Sequence, residues 1–404
     1  MRSRASRAHD ARRVIRRVSA ATAALAALLL ATACAPSGDA AGKSPTGRPS
    51  ASPTPTVTAT APPTLAERTR RIVERMDVPQ QAACVVMGNA PGTDPAALHA
   101  MMTGGFGGFI LMAGNIPPTS DGLRAVTTAL TVDPELPPLI ATDEEGGDVT
   151  RLPWDTGPGA DVLKSEPPSA AEAAFATRGK LLADAGVTVN FGIVADVAQG
   201  PGSFIYSRSF GTDPAAAAER VDAAVRGEAS AVRSTLKHFP GHGAAEGDSH
   251  HTIPATTMDL ETWRAQVAPP FLAGIRAGAP LVMMGHLAYT AVDAQPASLS
   301  PTWHRILRED LGFRGVIVTD DLDMLVDSGD PAYADEVADA VRSVAAGSDL
   351  VLALDGAGPG TAQRIADGLA AAVQSGTLPR DRLAEAASRV VALRLQIADQ
   401  LAGR

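Results

Sequence analysis

Four of the chain's eight histidines fall within the fifteen residues KHFPGHGAAEGDSHH at 237–251. Imidazoles gathered in this way suit metal binding or proton transfer. The spacing argues against a metal. There is no HExxH helix and no cysteine pair, and Pro240, Gly241 and Gly243 prevent His238 and His242 from sharing a helical face. Taken singly, His242 and His251 read as histidines that make structural hydrogen bonds. Asp248-Ser249-His250 is more specific. A carboxylate two residues from a histidine can bond one ring nitrogen, fix the tautomer and raise the ring's basicity, which gives a proton donor and acceptor suited to neutral pH. Gly243 and Gly247 would keep the loop mobile.

A proton donor needs a partner group, and GVIVTDDLDM at 315–324 offers one. Asp320, ending a buried strand, could attack a positively polarised carbon. Asp320, Asp321 and Asp323 together could instead hold a cation, or Asp320 could serve only as a cap. Alternation along a strand turns Asp320 inward, and Asp321 and Asp323 are assigned to the loop that follows.

The elements that must position these groups are legible as eight short apolar runs. They are AACVVMG at 82, GGFILM at 107, PPLIATD at 137, GVTVNFG at 186, VRSTLKHF at 232, APLVMMGH at 279, RGVIVTD at 314 and SDLVLAL at 348. Each is continuous rather than alternating, as in strands buried on both faces. Ala-rich stretches of helical period separate them, such as PAAAAERVDAAVRGEASA. Eight strand–helix units predict an α/β fold, a single (β/α)8 TIM-type barrel. An open doubly wound sheet is the alternative, but no GxGxxG turn supports it. In a barrel the chemistry collects where strands end. Asp143, Asn190, Lys237, His238, His286 and Asp320 are all placed at such ends, which puts the histidine loop over the barrel mouth.

The N-terminus reads as a targeting segment. Seven arginines precede position 18, an apolar run follows from about Ala20 to Ala31, and LATAC ends in Cys34. That is the grammar of a secretory signal, too short in its apolar core to span a bilayer. Residues 1–33 are assigned to a lipoprotein-type signal peptide, with Cys34 the lipidated first mature residue and plain cleavage with secretion the alternative. The expected location is the outer face of the bacterial cytoplasmic membrane, held there only by lipid. Residues 34–64, rich in Pro, Ser, Thr and Ala, form a tether without the apolar area to fold. Residues 65–404 are assigned to the single barrel domain. Without the signal the chain carries 28 basic and 43 acidic residues, a formal charge of −15, which repels nucleic acid. With Cys34 lipidated, only Cys84 remains, so no intrachain disulfide framework is expected and Cys84 reads as a small core residue.

Taken together and in this order, DEEGGDVTR, RSFG, KHFPGHG with DSH, PASLSP and TDDLDM closely resemble glycoside hydrolase family 3. The branch resembled is that of the single-barrel exo-β-N-acetylglucosaminidases that trim GlcNAc from peptidoglycan fragments. The resemblance covers about residues 68–395. It implies that Asp320 is the nucleophile of a retaining reaction, with His250 the general acid/base and Asp248 its supporting carboxylate. It also implies that Asp143, Arg151, Arg208, Lys237 and His238 bind the sugar, that no metal or other cofactor takes part, and that cis peptides flank KHFP. The expected substrate is a carbohydrate with terminal β-linked GlcNAc, acted on by a monomer. Larger family members draw their acid from a second domain; about 84 residues follow Asp320 here, so the acid is expected from the strand-five loop. Where the family usually reads DQEGGRV, this chain has Glu144 and Asp148. Asp148 removes a positive charge near the mouth, which leaves the group beyond the terminal sugar open. Phosphorolysis, another β-glycoside specificity and a silent sugar-binding lipoprotein are the alternatives to hydrolysis.

Overall fold

The computed structural model describes residues 62–354 and 360–403. The signal segment, Cys34 and nearly all of the tether lie outside the described residues. The strands are β1 (Val86–Gly88), β2 (Gly108–Ile110), β3 (Leu139–Thr142), β4 (Val189–Val194), β5 (Arg233–Phe239), β6 (Leu281–Met284), β7 (Val316–Asp321) and β8 (Leu350–Leu352). They close into a parallel barrel in which β1 pairs with both β2 and β8. Helices lie between consecutive strands, among them Ser120–Leu130, Pro168–Asp184 and Pro214–Glu228. A two-residue pair, Ala255–Thr256 with Ala288–Tyr289, lies outside the barrel.

Seven of the eight apolar runs become strands at the expected places. The first splits: Val78–Cys84 is helical and the strand begins at Val86. Asp77 caps that helix by accepting from the Gln80 N–H, and Pro79 sits within its first turn, so local capping overrides the apolar reading of Ala82–Cys84. Cys84 is fully buried, as expected of a core residue.

Two packing features fix the barrel. Under the turn after β5, Phe239, Trp263, Phe271, Trp303 and Tyr289 meet edge to face at 5.0–5.9 Å between neighbouring ring centroids. Such contacts add about 0.5–1.5 kcal/mol each to plain burial. Trp263 Nε1 donates to the Pro240 carbonyl and Tyr289 Oη donates to that of Gly241, so this aromatic cluster also holds the turn that begins the histidine loop. At the opposite face, fully buried Asp349 precedes β8. It accepts from the Ile317 N–H and from the guanidinium groups of Arg308, Arg382 and Arg389, tying the last helix to β7 and β8.

Removing that carboxylate would take from three arginines the buried counter-charge they share. Asp349→Ala is therefore expected to lower stability by about 3–5 kcal/mol in urea denaturation, with the mouth unaffected in the protein that remains folded.

Candidate active site

The mouth is built from strand ends and the loops they start. Asp143 follows β3, and Glu145 and Arg151 lie in the loop after it. Arg208 lies in the loop after β4, Lys237 and His238 in the last turns of β5, and Asp320 and Asp321 end β7. These side chains line one cavity of about 220 Å³, together with His242, Ser249, His250, Met283 and Met324. That is below the ~300–1,000 Å³ of a drug-sized site and suits one small polar ring. The bonds Lys237–His238 and Phe239–Pro240 are cis.

A lattice of ion pairs organises one wall. Lys237 Nζ donates to Asp143 Oδ1 and contacts Glu145 Oε1, both at 2.7 Å. Arg208 grips Glu145 with a two-pronged fork, Nε to Oε2 at 2.9 Å and Nη2 to Oε1 at 2.7 Å. Arg151 Nη2 stands 3.9 Å from Asp143 Oδ2. Burial opposes the charge on Glu145, but Lys237 and Arg208 outweigh it and hold its pKa at about 2. Burial likewise works against the Lys237 ammonium, and Asp143 with Glu145 raises its pKa overall. The wall thus offers fixed donors and fixed acceptors side by side, which is what a neutral polyhydroxyl ring requires.

Asp196, just past β4, anchors the turn after β5 from behind. It is fully buried and accepts from the backbone N–H groups of His238 and His242 and from His238 Nδ1 at 2.7 Å. Burial drives the His238 pKa well down, so the ring is neutral. Its Nδ1 carries the proton, leaving Nε2 to face Arg208 Nη2 at 3.4 Å.

On the other side, Asp320 is half-buried at the end of β7, and its Oδ1 accepts the Asp321 N–H. Asp321 is the last residue of the strand rather than part of the loop, and it lines the cavity too. Burial, then the neighbouring Asp320 and Asp323, raises its pKa to about 7 although its carboxylate accepts the Leu354 and Asp323 N–H groups. Both backbone donors bond the same oxygen, Asp321 Oδ1. Among the described residues no three His, Cys, Asp or Glu side chains converge as a metal site.

The loop after β5 carries His250 and Asp248. His250 Nδ1 lies 2.6 Å from Asp248 Oδ1, and the His250 N–H donates to the same oxygen at 3.0 Å. Burial works against the Asp248 charge, but these two bonds, with the nearby His250 and His251, outweigh it and pull its pKa below the usual range. The imidazole side chain is 55% exposed, so the ring stands at the rim with its Nε2 free of Asp248. Gly243 has a different role from the one expected. A Cβ there would lie 2.0 Å from the Val197 carbonyl oxygen, so close backbone approach, not mobility, requires glycine.

The structure thus brings Asp143, Arg151, Arg208, Lys237, His238, His250 and Asp320 to one cavity, with Asp248 reaching it through His250. Two expected mouth residues lie elsewhere. Asn190 is the second residue of β4, fully buried, and bonds the Glu144 backbone and Glu228. His286 has Nε2 on the Asp321 carbonyl at 2.8 Å and Nδ1 on Ser298 Oγ at 2.7 Å, so it braces the end of β7 from outside the cavity. The His242 ring makes no hydrogen bond to the described residues, contrary to the structural role expected of it. Glu145 and Asp196 were not identified from sequence. Each is an acid placed just after a strand, the signal that marked Asp143.

Residues 86–393 match the description "Glycosyl hydrolase family 3 N terminal domain", and the chain belongs to that family. A beta-hexosaminidase of Neisseria meningitidis serogroup C is 38% identical over 233 residues, 54% of this chain and 63% of that protein. The match therefore spans just under two thirds of that relative. A beta-hexosaminidase of Methylococcus capsulatus is 36% identical over 253 residues, 60% of this chain and 73% of that one. Among solved structures, a family 3 beta-N-acetylglucosaminidase from Paenibacillus is similar with a TM-score of 0.75 and 31% identity, over 81% of this chain and 64% of that one. Mycobacterium tuberculosis LpqI is similar with a TM-score of 0.72 and 27% identity, over 81% and 96%.

Glu144, where the family usually has glutamine, points away from the cavity. Its Oε2 accepts the N–H groups of Arg151 and Leu152 at 2.8 Å, and burial raises its pKa to about 7. The folded state thus favours the neutral acid, so its contribution is present at low pH and lost as pH rises through about 7. Glu144→Gln offers the same acceptor without that titration. The variant is expected to gain about 1–3 kcal/mol on the wild type between pH 4.5 and 7.5 and to level off above, in melts at stepped pH.

Proposed function

We propose that this chain is a retaining exo-β-N-acetylhexosaminidase that removes terminal β-linked GlcNAc, with peptidoglycan fragments as the source. The observation that carries this reading is the pairing of two groups on one small polar cavity: the strand-rooted carboxylate of Asp320 and the imidazole of His250, polarised by Asp248. The beta-hexosaminidase relatives and the Paenibacillus beta-N-acetylglucosaminidase support the same substrate class.

In this reading Asp143, Arg151, Arg208, Lys237 and His238 hold the hydroxyls of the terminal ring. Binding energy on these groups positions the anomeric carbon over Asp320. An Asp320 oxygen forms a bond to that carbon as the glycosidic C–O bond breaks. Protonated His250 transfers its Nε2 proton to the departing oxygen, and a glycosyl ester remains on Asp320. Water then gives its proton to the now neutral His250 and adds to the same carbon, which frees the Asp320 carboxylate and restores the imidazolium. Asp248 steadies the charge that appears on the ring in each cycle. Two inversions at one carbon retain the configuration. We also propose that the chain is exported and lipid-anchored through Cys34, a reading that rests on the arginine-rich, apolar and LATAC segments alone.

Asp320→Ala is expected to abolish release of nitrophenol from its β-GlcNAc glycoside; turnover at the wild-type rate would overturn the nucleophile assignment. His250→Ala should lose about 10²–10⁴-fold on an alkyl or sugar leaving group but much less on nitrophenol, which departs with little protonation. Equal losses on the two would remove His250 from the acid role. GlcNAc release from a muropeptide and from chitobiose, with and without phosphate, identifies the natural aglycone and the acceptor.

A further inference from the structure

The reaction as drawn leaves the ring of His242 without a task. Its residue is 2% exposed, lines the same cavity, and is held through its backbone N–H on Asp196 Oδ1 at 2.6 Å. Neither Nδ1 nor Nε2 has a hydrogen-bond partner among the described residues. One other buried atom lining the cavity, Arg151 Nε, shares that condition. The remaining charged groups of the wall are matched to one another. The ring cannot turn to solvent, because it is bracketed by His238 at 5.9 Å and Phe204 at 5.4 Å between ring centroids. Phe204 in turn stands edge-on to His250 at 6.2 Å.

A buried imidazole nitrogen without a partner is destabilising, so such a group in a binding cavity points to a ligand that completes it. We propose that His242 recognises the 2-acetamido group of the terminal sugar, its ring N–H donating to the amide carbonyl oxygen. This rests on the hexosaminidase reading and names a residue that selects amino sugars within it. The position suits the role. His242 lies between His238, which belongs to the hydroxyl-binding wall, and the flank served by His250. His250 attends the oxygen on C1, and C2 is the next carbon of the ring. The chemistry also suits it. An uncharged amide is better matched by one imidazole N–H than by another cation, and the Phe204 ring backs the imidazole with apolar surface.

The test compares β-nitrophenyl GlcNAc with β-nitrophenyl glucoside, which lacks the acetamido group, in wild type, His242→Phe and His242→Gln. The phenylalanine variant should lose about 10²-fold in kcat/KM on the GlcNAc glycoside and less than about 3-fold on the glucoside, and the glutamine variant should recover part of the loss. Equal losses on both substrates, or none, would overturn the assignment. A second measurement needs no variant: ¹⁵N-imidazole spectra of the wild-type domain titrated with free GlcNAc and with glucose. A hydrogen-bonded His242 N–H is expected with GlcNAc alone; the same response to both sugars, or to neither, overturns the assignment. A wild type without turnover that still shows the GlcNAc-specific imidazole signal would sink the hydrolase reading and keep this one. Turnover of GlcNAc glycosides with His242 indifferent to the sugar would do the reverse.

Discussion

An ammonium group held inside a protein wall governs the geometry of this mouth. The Lys237 side chain is 3% exposed, and a charge so placed is tolerable only with counter-charges in contact. Asp143 and Glu145 supply them, and the Arg208 fork fixes Glu145 in turn. The chain of contacts joins the loop after β3, the loop after β4 and the end of β5, three segments far apart in sequence. None of the four groups can move without stranding another in a poorly solvated site. The cavity's donors and acceptors are therefore in place before any ligand arrives, and the ordering cost is met in folding rather than in binding.

Against this rigid wall, the group proposed to carry the proton is placed differently. Asp248 and His250 are bonded to each other but sit at the rim, with side chains 37% and 55% exposed. Asp320 ends a barrel strand whose last carbonyl is held by His286, itself held by Ser298. A group that forms a bond to carbon gains from fixed placement. A group that gives up a proton and regains it from water must reach solvent in each cycle. In the proposed mechanism, the division between strand and loop answers those two demands.

Much of this was legible from residue types alone. Continuous apolar runs marked seven strands, and the rule that chemistry gathers at strand ends located Asp143, Lys237, His238 and Asp320. The misses have physical causes. The Ala82–Cys84 run failed because capping at Asp77 makes those residues helical, which hydrophobicity alone does not reveal. Asn190 failed because β4 continues for four residues beyond it. Glu145 and Asp196 sit just after strands, as Asp143 does, but what sets them apart is pairing with Lys237 and His238, 92 and 42 residues away along the chain, and pairing at that range carries no local signature. Gly243 was read through flexibility when a backbone oxygen decides it.

The departures within DEEGGDVTR show how direction, more than position, decides what a substitution means. Glu144 adjoins Asp143 in sequence, yet its side chain turns behind the wall and cradles the backbone at 151–152. A neutral carboxyl there can do what an amide oxygen does, so the change leaves the cavity's donor and acceptor pattern intact. Asp148 is exposed, and its charge is felt by Lys164, whose Nζ caps the Tyr206 ring at 3.7 Å and donates to the Tyr206 carbonyl. That pair belongs to the outer surface of the loops after β3 and β4. The cavity wall thus keeps its donors and acceptors while the charge of Asp148 lies outside it, and under the proposed function selection among substrates is expected to act on what projects past the terminal sugar.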